Sequence, residues 1–175
     1  MVKNILLTGL PRAGKTTVVL KVAEGIKGRC AGFYTEEILK KGKRVGFRLI
    51  TLNGSSGILA HREIKSQYNV GKYGVAIESL EKLGIRAVKE GIEGNKVIII
   101  DEIGKMELFS IKFRTAVIEA LDSRQLVLAT IMSHSHPFCD GIKSRKDVKM
   151  FEVTPKNRDS LPGIILNMIT GSLGD

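Results

Sequence analysis

The chain has 175 residues, of which 43% are hydrophobic and 5% are aromatic. This length fits one domain of ordinary size, with a core of aliphatic side chains rather than stacked rings. Lys and Arg number 28 against 18 for Asp and Glu, which gives a formal net charge of +10. Such a surface attracts polyanions. The net charge alone does not show whether the partner is a nucleotide, a nucleic acid or an acidic lipid headgroup.

Two classes of protein are disfavoured by the sequence. No apolar run approaches the roughly 20 residues that cross a bilayer, and Arg12 and Lys15 come before a secretory-type apolar segment can form. Two cysteines, Cys30 and Cys139, are too few for a disulfide framework and lack the paired spacing of a zinc site. We therefore expect a cytoplasmic protein with reduced thiols and no membrane partner.

The first elements are predicted to be a strand, a tight loop and a helix. Residues 3–8 form a short apolar run that ends at Gly9. A helical pattern begins near Lys15 and places four apolar residues on one side: Val18, Val19, Val22 and Ile26.

The next segments are rich in residues that favour strands. Residues 31–38 and 44–52 predict an exposed hairpin, and the basic run 40–43 forms its turn. The Gly and Ser residues at 54–57 predict a second turn, followed by a short strand at 58–61 and a stretch punctuated by glycines.

The second half of the chain alternates helices and apolar strands. Residues 75–92 have helical spacing, and Gly84, which costs about 1 kcal/mol relative to Ala, is expected to bend the helix. Residues 97–100 are all apolar, as in a strand covered on both faces. The remaining predicted elements are a helix over 110–122, a strand over 126–132, a loop around Pro137, a strand over 148–153 and a helix over 157–170. This alternation is typical of a mainly parallel α/β sheet in one domain, residues 1–175.

A phosphate-binding loop is predicted between the first strand and the first helix. The segment Gly9-Leu10-Pro11-Arg12-Ala13-Gly14-Lys15-Thr16 fits the Walker A pattern at every required position. Its glycines let backbone N–H groups surround phosphate oxygens at the positive end of the helix. Lys15 can reach the β- and γ-phosphates, the Thr16 hydroxyl can bind Mg²⁺, and Thr17 can add a bond to the α-phosphate. We therefore predict a three-layer P-loop NTPase fold with an added antiparallel hairpin.

Acidic residues stand where the buried strand ends, at Asp101 and Glu102. A Mg²⁺ ion opposite the Walker A hydroxyl needs a carboxylate, for which Asp101 is the candidate. Glu102 is placed to orient or deprotonate an attacking water. With Lys15 as the other catalytic residue, this pattern favours hydrolysis of a nucleoside triphosphate.

Several further runs give the sequence a specific resemblance. They are the Walker A segment extended to Thr17, Gly32-Phe33-Tyr34-Thr35-Glu36-Glu37, Arg44-Val45-Gly46-Phe47, Val70-Gly71-Lys72-Tyr73-Gly74-Val75, Asp101-Glu102-Ile103-Gly104-Lys105-Met106-Glu107-Leu108, Ser144-Arg145-Lys146-Asp147-Val148 and Thr154-Pro155-Lys156-Asn157-Arg158. Together they resemble the THEP family, small P-loop nucleoside triphosphatases of thermophilic microbes that occur in animals as the cancer-related NTPase. The resemblance covers essentially the whole chain.

The resemblance implies a Mg²⁺-dependent hydrolase that converts ATP, GTP, CTP and UTP to diphosphate and phosphate. It implies that the acidic turn, Asp101, Glu102, Ile103, Gly104 and Lys105, contributes to the nucleotide site, and that Asn157 and Arg158 lie near the base. The loop over residues 132–139 departs from the family pattern.

Other interpretations stay open at this point. A nucleotide or small-metabolite kinase shares the fold and the Walker A loop. A module that responds to nucleic acid is supported only by the basic surface, including Lys40, Lys41, Lys43 and Arg44. His134, His136 and Cys139 form an incomplete zinc pattern, and Arg145 and Arg158 are candidates to stabilise the γ-phosphate. No obligate protein partner is evident.

Overall fold

In the computed structural model, which describes residues 3–173, the strands form one nine-stranded sheet. The strands are β1 (Asn4–Thr8), β2 (Cys30–Lys40), β3 (Lys43–Thr51), β4 (Ser56–His61), β5 (Asn69–Val70), β6 (Tyr73–Val75), β7 (Val97–Ile103), β8 (Val127–Ile131) and β9 (Val148–Glu152). Their order across the sheet is β5-β6-β4-β3-β2-β7-β8-β1-β9.

The helices connect the strands of the sheet. They are α1 (Lys15–Gly25), α2 (Ile77–Ser79), α3 (Arg86–Glu93), α4 (Ile111–Asp122), α5 (Pro137–Lys143) and α6 (Leu161–Leu173), with a π-helical segment (Leu80–Ile85) between α2 and α3 and a 3-10 turn (Glu107–Phe109) before α4. Within residues 3–173, none of the helices is both long and apolar enough for a membrane span.

Five neighbouring strands of the sheet run parallel to one another, in the order β2-β7-β8-β1-β9. β7 pairs with β2 and β8, and β1 pairs with β8 and β9. Since parallel strands end at one edge of a sheet, this arrangement brings the loops after β1, β7 and β8 together. The predicted phosphate loop and acidic turn therefore share one edge.

Two apolar cores cover the two faces of the sheet. On one face, Val19 of α1 and Ile165 of α6 pack with residues of β1 and β7. On the other face, Val88 of α3 and Phe113 of α4 pack against the opposite side of the same strands. Because side chains alternate along a strand, both faces of a central strand are buried, as its unbroken apolar run predicts. The result is the predicted three-layer α/β architecture.

The antiparallel part of the sheet is larger than a single hairpin. β2 and β3 form the predicted hairpin, with Lys40 paired to Lys43 at its end. Beyond it, β4 pairs with β3, β6 with β4, and β5 with β6. The glycine-punctuated stretch thus forms two short strands that the sequence pattern did not reveal.

Gly84 lies within the π-helical segment, where we predicted a bend. A β-carbon built there would lie 3.2 Å from Leu49 Cδ1 and 3.3 Å from Phe33 Cε1. The missing side chain therefore lets this helix pack closely against β2 and β3.

Several predicted boundaries were wrong. The buried strand expected to stop before Asp101 continues to Ile103, with a break in its pairing to β8 after Ile100. The helix expected from residue 75 begins at Ile77, because Val75 ends β6.

The loop expected around Pro137 begins helix α5, because proline has no N–H to lose in the first turn and its φ angle already suits a helix. The last helix starts at Leu161 rather than at residue 157, since residues 155–160 form turns.

Candidate functional site

The loop between β1 and α1 has the backbone shape that its glycines predict. Gly9 has φ 142° and Gly14 has φ 104°, in the region where an L side chain is strained. A β-carbon on Gly9 would also lie 2.6 Å from the Val153 carbonyl oxygen. Glycine at this position allows the loop to pass beside the end of β9.

Lys15 holds its ammonium group against the loop. Its Nζ donates to the carbonyl oxygens of Gly9 and Leu10, each at 3.0 Å. Leu10 and Pro11 are exposed at the outer rim of the loop. A cation is thus held at the place where the Walker A pattern positions phosphates.

Asp101 joins the phosphate loop to the interior strands. The Thr16 hydroxyl donates to Asp101 Oδ2 at 2.8 Å, and the Thr130 hydroxyl donates to Oδ1 at 2.5 Å. Burial raises the pKa of Asp101, whose side chain is only 1% exposed, while hydrogen bonds from Thr130, Thr16 and the Thr35 backbone, together with the charge of Lys15, oppose that rise. The carboxylate is therefore held by donors on three different elements.

The oxygens of Thr16 and Asp101 suit a magnesium ion. Mg²⁺ prefers oxygen ligands in octahedral geometry, and neighbouring ligands of such an ion lie about 2.9 Å apart. The two side-chain oxygens are 2.8 Å apart. Their chemistry and spacing therefore fit the predicted metal ligands.

Glu102 lies over the backbone of the acidic turn. A β-carbon on Gly104 would lie 2.5 Å from Glu102 Oε1, so the carboxylate occupies the space beside this glycine. The peptide bond between Asp101 and Glu102 is cis. Burial, and then the negative charge of Asp101, raise the pKa of Glu102, whereas the charge of Lys15 lowers it. A carboxyl group with a raised pKa is better suited to accept a proton at neutral pH.

The outer side of the phosphate loop contacts the hairpin. Arg12 Nη2 lies 3.8 Å from Glu37 Oε2, and Arg44 Nη1 lies 2.8 Å from Glu37 Oε1. Arg44 also donates from Nε to the Tyr73 hydroxyl at 3.1 Å. Glu37 therefore bridges the loop and the hairpin, and Arg44 is not an unpaired surface cation.

The turn after β9 borders the phosphate loop. A β-carbon on Gly14 would lie 3.3 Å from Arg158 Cδ, so the stem of this arginine passes directly beside the loop. Asn157 uses both ends of its amide within the turn: Oδ1 accepts from the Thr154 N–H and Nδ2 donates to the Glu152 carbonyl, each at 2.8 Å. Asn157 thus holds the turn that places Arg158.

The sequence model of the family described as NTPase matches residues 4–166. The chain belongs to the NTPase family.

Relatives of this NTPase cover nearly its whole length. It is 47% identical over 172 residues to the nucleoside-triphosphatase THEP1 of Thermotoga sp. (strain RQ2), with 98% of each chain covered. It is 37% identical over 188 residues to the human cancer-related nucleoside-triphosphatase, covering 98% of this chain and 99% of the human protein.

Two solved structures share the fold. The crystal structure of THEP1 from Aquifex aeolicus matches with a TM-score of 0.87 at 40% identity, covering 95% of this chain and 98% of that one. The solution structure of the human cancer-related nucleoside triphosphatase matches with a TM-score of 0.85 at 37% identity, covering 98% and 99%. These matches confirm the predicted family, the α/β fold and, at the level of the family, the class of nucleoside triphosphatases.

Sequence reasoning missed Thr130 as a site residue of this NTPase. It is the single polar residue in the strand Val127–Ile131, and all five residues of that strand are buried. A lone threonine in an otherwise apolar strand was the available signal, because a buried hydroxyl needs a hydrogen-bond partner. Asp101 is that partner.

Glu107 belongs to the family motif over residues 101–108, and the sequence predicts no role for it. It is 5% exposed and lies in the 3-10 turn that follows the acidic turn. Its carboxyl accepts hydrogen bonds from its own N–H and from that of Gly104. Burial, and then the charge of Glu102, raise its pKa to about 8, so Glu107 is mainly neutral at pH 7.

Some candidates lie away from the phosphate loop. Arg145 binds Asp122 and Asp147, and the Asp147 carbonyl accepts from the N–H of Asn4 at the amino end of β1. Because the phosphate loop follows the opposite end of β1, Arg145 is excluded as a γ-phosphate ligand. Lys105, the last residue of the acidic turn, is exposed and lines a cleft with Phe109 and His136.

The incomplete zinc pattern does not form a metal centre. Over residues 3–173, the structure contains no group of three or more His, Cys, Asp or Glu side chains that could hold a metal ion. His136 instead caps helix α5 by accepting the Phe138 N–H at Nδ1. Cys139 is a buried free thiol.

Proposed function

We propose that this chain hydrolyses nucleoside triphosphates to diphosphate and phosphate with Mg²⁺. The observation that carries the proposal is the 2.8 Å hydrogen bond between Thr16 and Asp101. Glu102 is close enough to both Asp101 and Lys15 for their charges to act on its carboxyl group. A phosphate cradle, a pair of oxygen ligands and a carboxyl base then share one edge of the sheet. Family membership supports the same reaction.

Each residue has a separate task in this reaction. The N–H groups of the loop and the Lys15 ammonium stabilise the charge of the phosphates. When bound by Thr16 and Asp101, Mg²⁺ supplies further neutralisation of the phosphate charge.

Glu102 acts on the attacking water. It accepts a hydrogen bond from the water and takes its proton as the water oxygen forms a bond to the γ-phosphorus. The bond from the γ-phosphorus to the bridging oxygen breaks, and the diphosphate leaves with that electron pair. The raised pKa of Glu102 favours this role, because its carboxylate is then a stronger base.

The turn after β9 supports broad tolerance of the base. Of its two predicted base-site residues, Asn157 has both amide ends engaged in the turn. The two bonds fix the orientation of the amide within the turn. Arg158 offers a guanidinium that can stack on any base. We therefore propose ATP, GTP, CTP and UTP as substrates.

The proposed setting is the cytoplasm, where these substrates occur. Both cysteines are free thiols, as expected in a reducing compartment. Nucleic acid stays a weaker candidate partner, because Arg44 is paired with Glu37. The exposed cations of the hairpin are Lys40, Lys41, Lys43 and Arg48.

Phosphate release tests the proposal. The intact protein, Lys15→Ala and Glu102→Gln are compared on ATP, GTP, CTP and UTP with and without Mg²⁺, while the diphosphate product is measured. We expect release from all four, and Glu102→Gln should keep nucleotide binding but lose about 100-fold or more in turnover. Glu78→Gln is the control, because the Glu78 side chain is 88% exposed on α2. Undiminished turnover in Glu102→Gln contradicts the assigned base.

A further inference from the structure

Three segments meet in a second cleft, and the proposed reaction gives a role to none of the side chains that line it. The three segments are the β5–β6 hairpin, the chain from Lys105 to Phe109, and the loop after β8, which departs from the family pattern. The cleft has a volume of about 410 Å³, within the usual range for small-molecule sites. We name it the hairpin cleft. It is lined by Asn69, Val70, Gly71, Lys105, Leu108, Phe109, Met132 and His136.

The hairpin cleft has two polar donors for an anion. Lys105 is exposed, and no acidic side chain within residues 3–173 lies within ion-pair distance of it. His136 accepts the Phe138 N–H at Nδ1, which leaves the proton of the neutral ring on Nε2 as a second donor. The cation and the imidazole favour a ligand that carries a carboxylate, sulfonate or phosphate group.

The rest of the lining is apolar. Val70, Leu108 and Met132 form part of the wall, together with Phe109, whose side chain is 37% exposed. The Phe109 ring lies 5.2 Å from the ring of Tyr68, in a tilted arrangement. An exposed ring beside apolar side chains favours a flat aromatic body in the ligand.

The hairpin cleft is physically joined to the proposed reaction centre. Met132 donates its N–H to the Ile103 carbonyl at 3.1 Å, which ties the cleft wall to the acidic turn. Glu102 and Lys105 stand at opposite ends of that turn. A ligand that draws in Lys105 therefore acts on the same short segment that positions Glu102.

We propose that the hairpin cleft is a second ligand site, which binds a small aromatic molecule with one anionic group and thereby changes the rate of hydrolysis. The binding part stands independently of the reaction, whereas the effect on rate rests on the proposed function.

Fluorescence titration tests the binding part. The probe is 1-anilinonaphthalene-8-sulfonate, and N-phenyl-1-naphthylamine, which has nearly the same rings without the charge, is its control. We expect the sulfonate to bind at least about tenfold more tightly than the neutral probe, since only the sulfonate can accept a charge-assisted hydrogen bond from Lys105. Lys105→Gln should remove most of this difference and leave the neutral probe unaffected.

Matched variants locate the probe. Phe109→Ala should weaken both probes, whereas two controls should change neither. Lys72→Gln removes a cation on the adjacent hairpin that does not line the cleft, and Ile111→Ser removes an apolar side chain that is 70% exposed elsewhere. Unfolding midpoints show whether each variant is folded. Three results would overturn the site. The two probes could bind equally, Lys105→Gln and Lys72→Gln could have equal effects, or a nucleotide could displace the sulfonate.

The effect on rate is measured separately. Phosphate release from saturating ATP is followed with and without the bound sulfonate, and we expect a change of at least about twofold that Lys105→Gln abolishes. Unchanged release with the cleft saturated overturns the coupling to turnover. A protein with no hydrolysis at all contradicts the proposed function, but it leaves the titration result standing.

Discussion

Thr16 and Asp101 form the one side-chain hydrogen bond found between α1 and β7 among the described residues, at 2.8 Å. This bond connects the helix that follows the phosphate loop to the strand that ends at the acidic turn. The same two oxygens are the proposed Mg²⁺ ligands. Positioning and chemistry therefore depend on one pair of side chains.

Replacing Thr16 tests whether its hydroxyl makes these two contributions. Thr16→Val removes the hydroxyl and leaves Asp101 with one fewer donor, whereas Thr16→Ser keeps the hydroxyl. We expect Thr16→Val to lower turnover by about 100-fold or more and to destabilise the fold by about 1–3 kcal/mol. Thr16→Ser should stay within about tenfold of the intact protein. Mg²⁺-dependent phosphate release and urea unfolding check both effects, and equal losses in the two variants would contradict a role for the hydroxyl.

The space beside Gly104 gives a second prediction. A methyl group there would lie 2.5 Å from Glu102 Oε1, so Gly104→Ala must displace the carboxylate. We expect turnover to fall by about 10- to 100-fold while nucleotide affinity changes little, because a misplaced base loses its alignment with water. Gly141→Ala is the matched control, since no atom lies within 4 Å of its added β-carbon. Single-turnover hydrolysis and nucleotide titration distinguish the two steps. Equal turnover in both variants would show that Glu102 tolerates the shift.

The residues proposed to bind phosphate and metal could be predicted from the sequence more easily than the residues that hold them in place. Lys15 and Thr16 follow from a local motif, since a few consecutive residues determine the shape of a phosphate loop. Asp101 could be predicted from the abrupt change from apolar to acidic residues, although β7 continues past it to Ile103. The bond from Thr130 to Asp101 could not, because it joins neighbouring strands 29 residues apart in sequence. The raised pKa of Glu107 likewise depends on tertiary burial.

The same distinction applies to the fold. The parallel strands were predictable because burial on both faces leaves continuous apolar runs. Strands β5 and β6 have two and three residues, too few to establish an alternating pattern. Pro137 was read as a loop signal, although the same residue is favourable in the first turn of a helix.

Asn157 gives a prediction about nucleotide affinity. Asn157→Ala removes the two 2.8 Å bonds that hold the turn beside the phosphate loop, and with them the placement of Arg158. We expect the KM for ATP, GTP, CTP and UTP to rise by about 3- to 10-fold alike, with kcat nearly unchanged, because uniform binding is lost. Asn167→Ala, at an exposed position on α6, is the control. A rise confined to one nucleotide would instead show that Asn157 reads the base.

Glu107 predicts a dependence of stability on pH. Its pKa is about 8 in the folded protein against an ordinary value of 4.5, so the folded state binds this proton more tightly than the unfolded chain does. As pH rises from 4.5 to 8, the unfolded chain loses the proton first, and this group progressively lowers the free energy of unfolding. Glu107→Gln removes the titration, and its amide oxygen can still accept the two backbone bonds. The variant should therefore match the intact protein near pH 5.

At higher pH the Glu107→Gln variant should become the more stable protein. At pH 7 the expected gain is on the order of 3 kcal/mol, and it should stop growing above the folded pKa. Urea unfolding at several pH values between 5 and 9 measures this divergence, with Glu119→Gln as the control at an exposed position on α4. Parallel curves for Glu107→Gln and the intact protein would contradict the raised pKa and would mean that Glu107 is ionised in the folded protein.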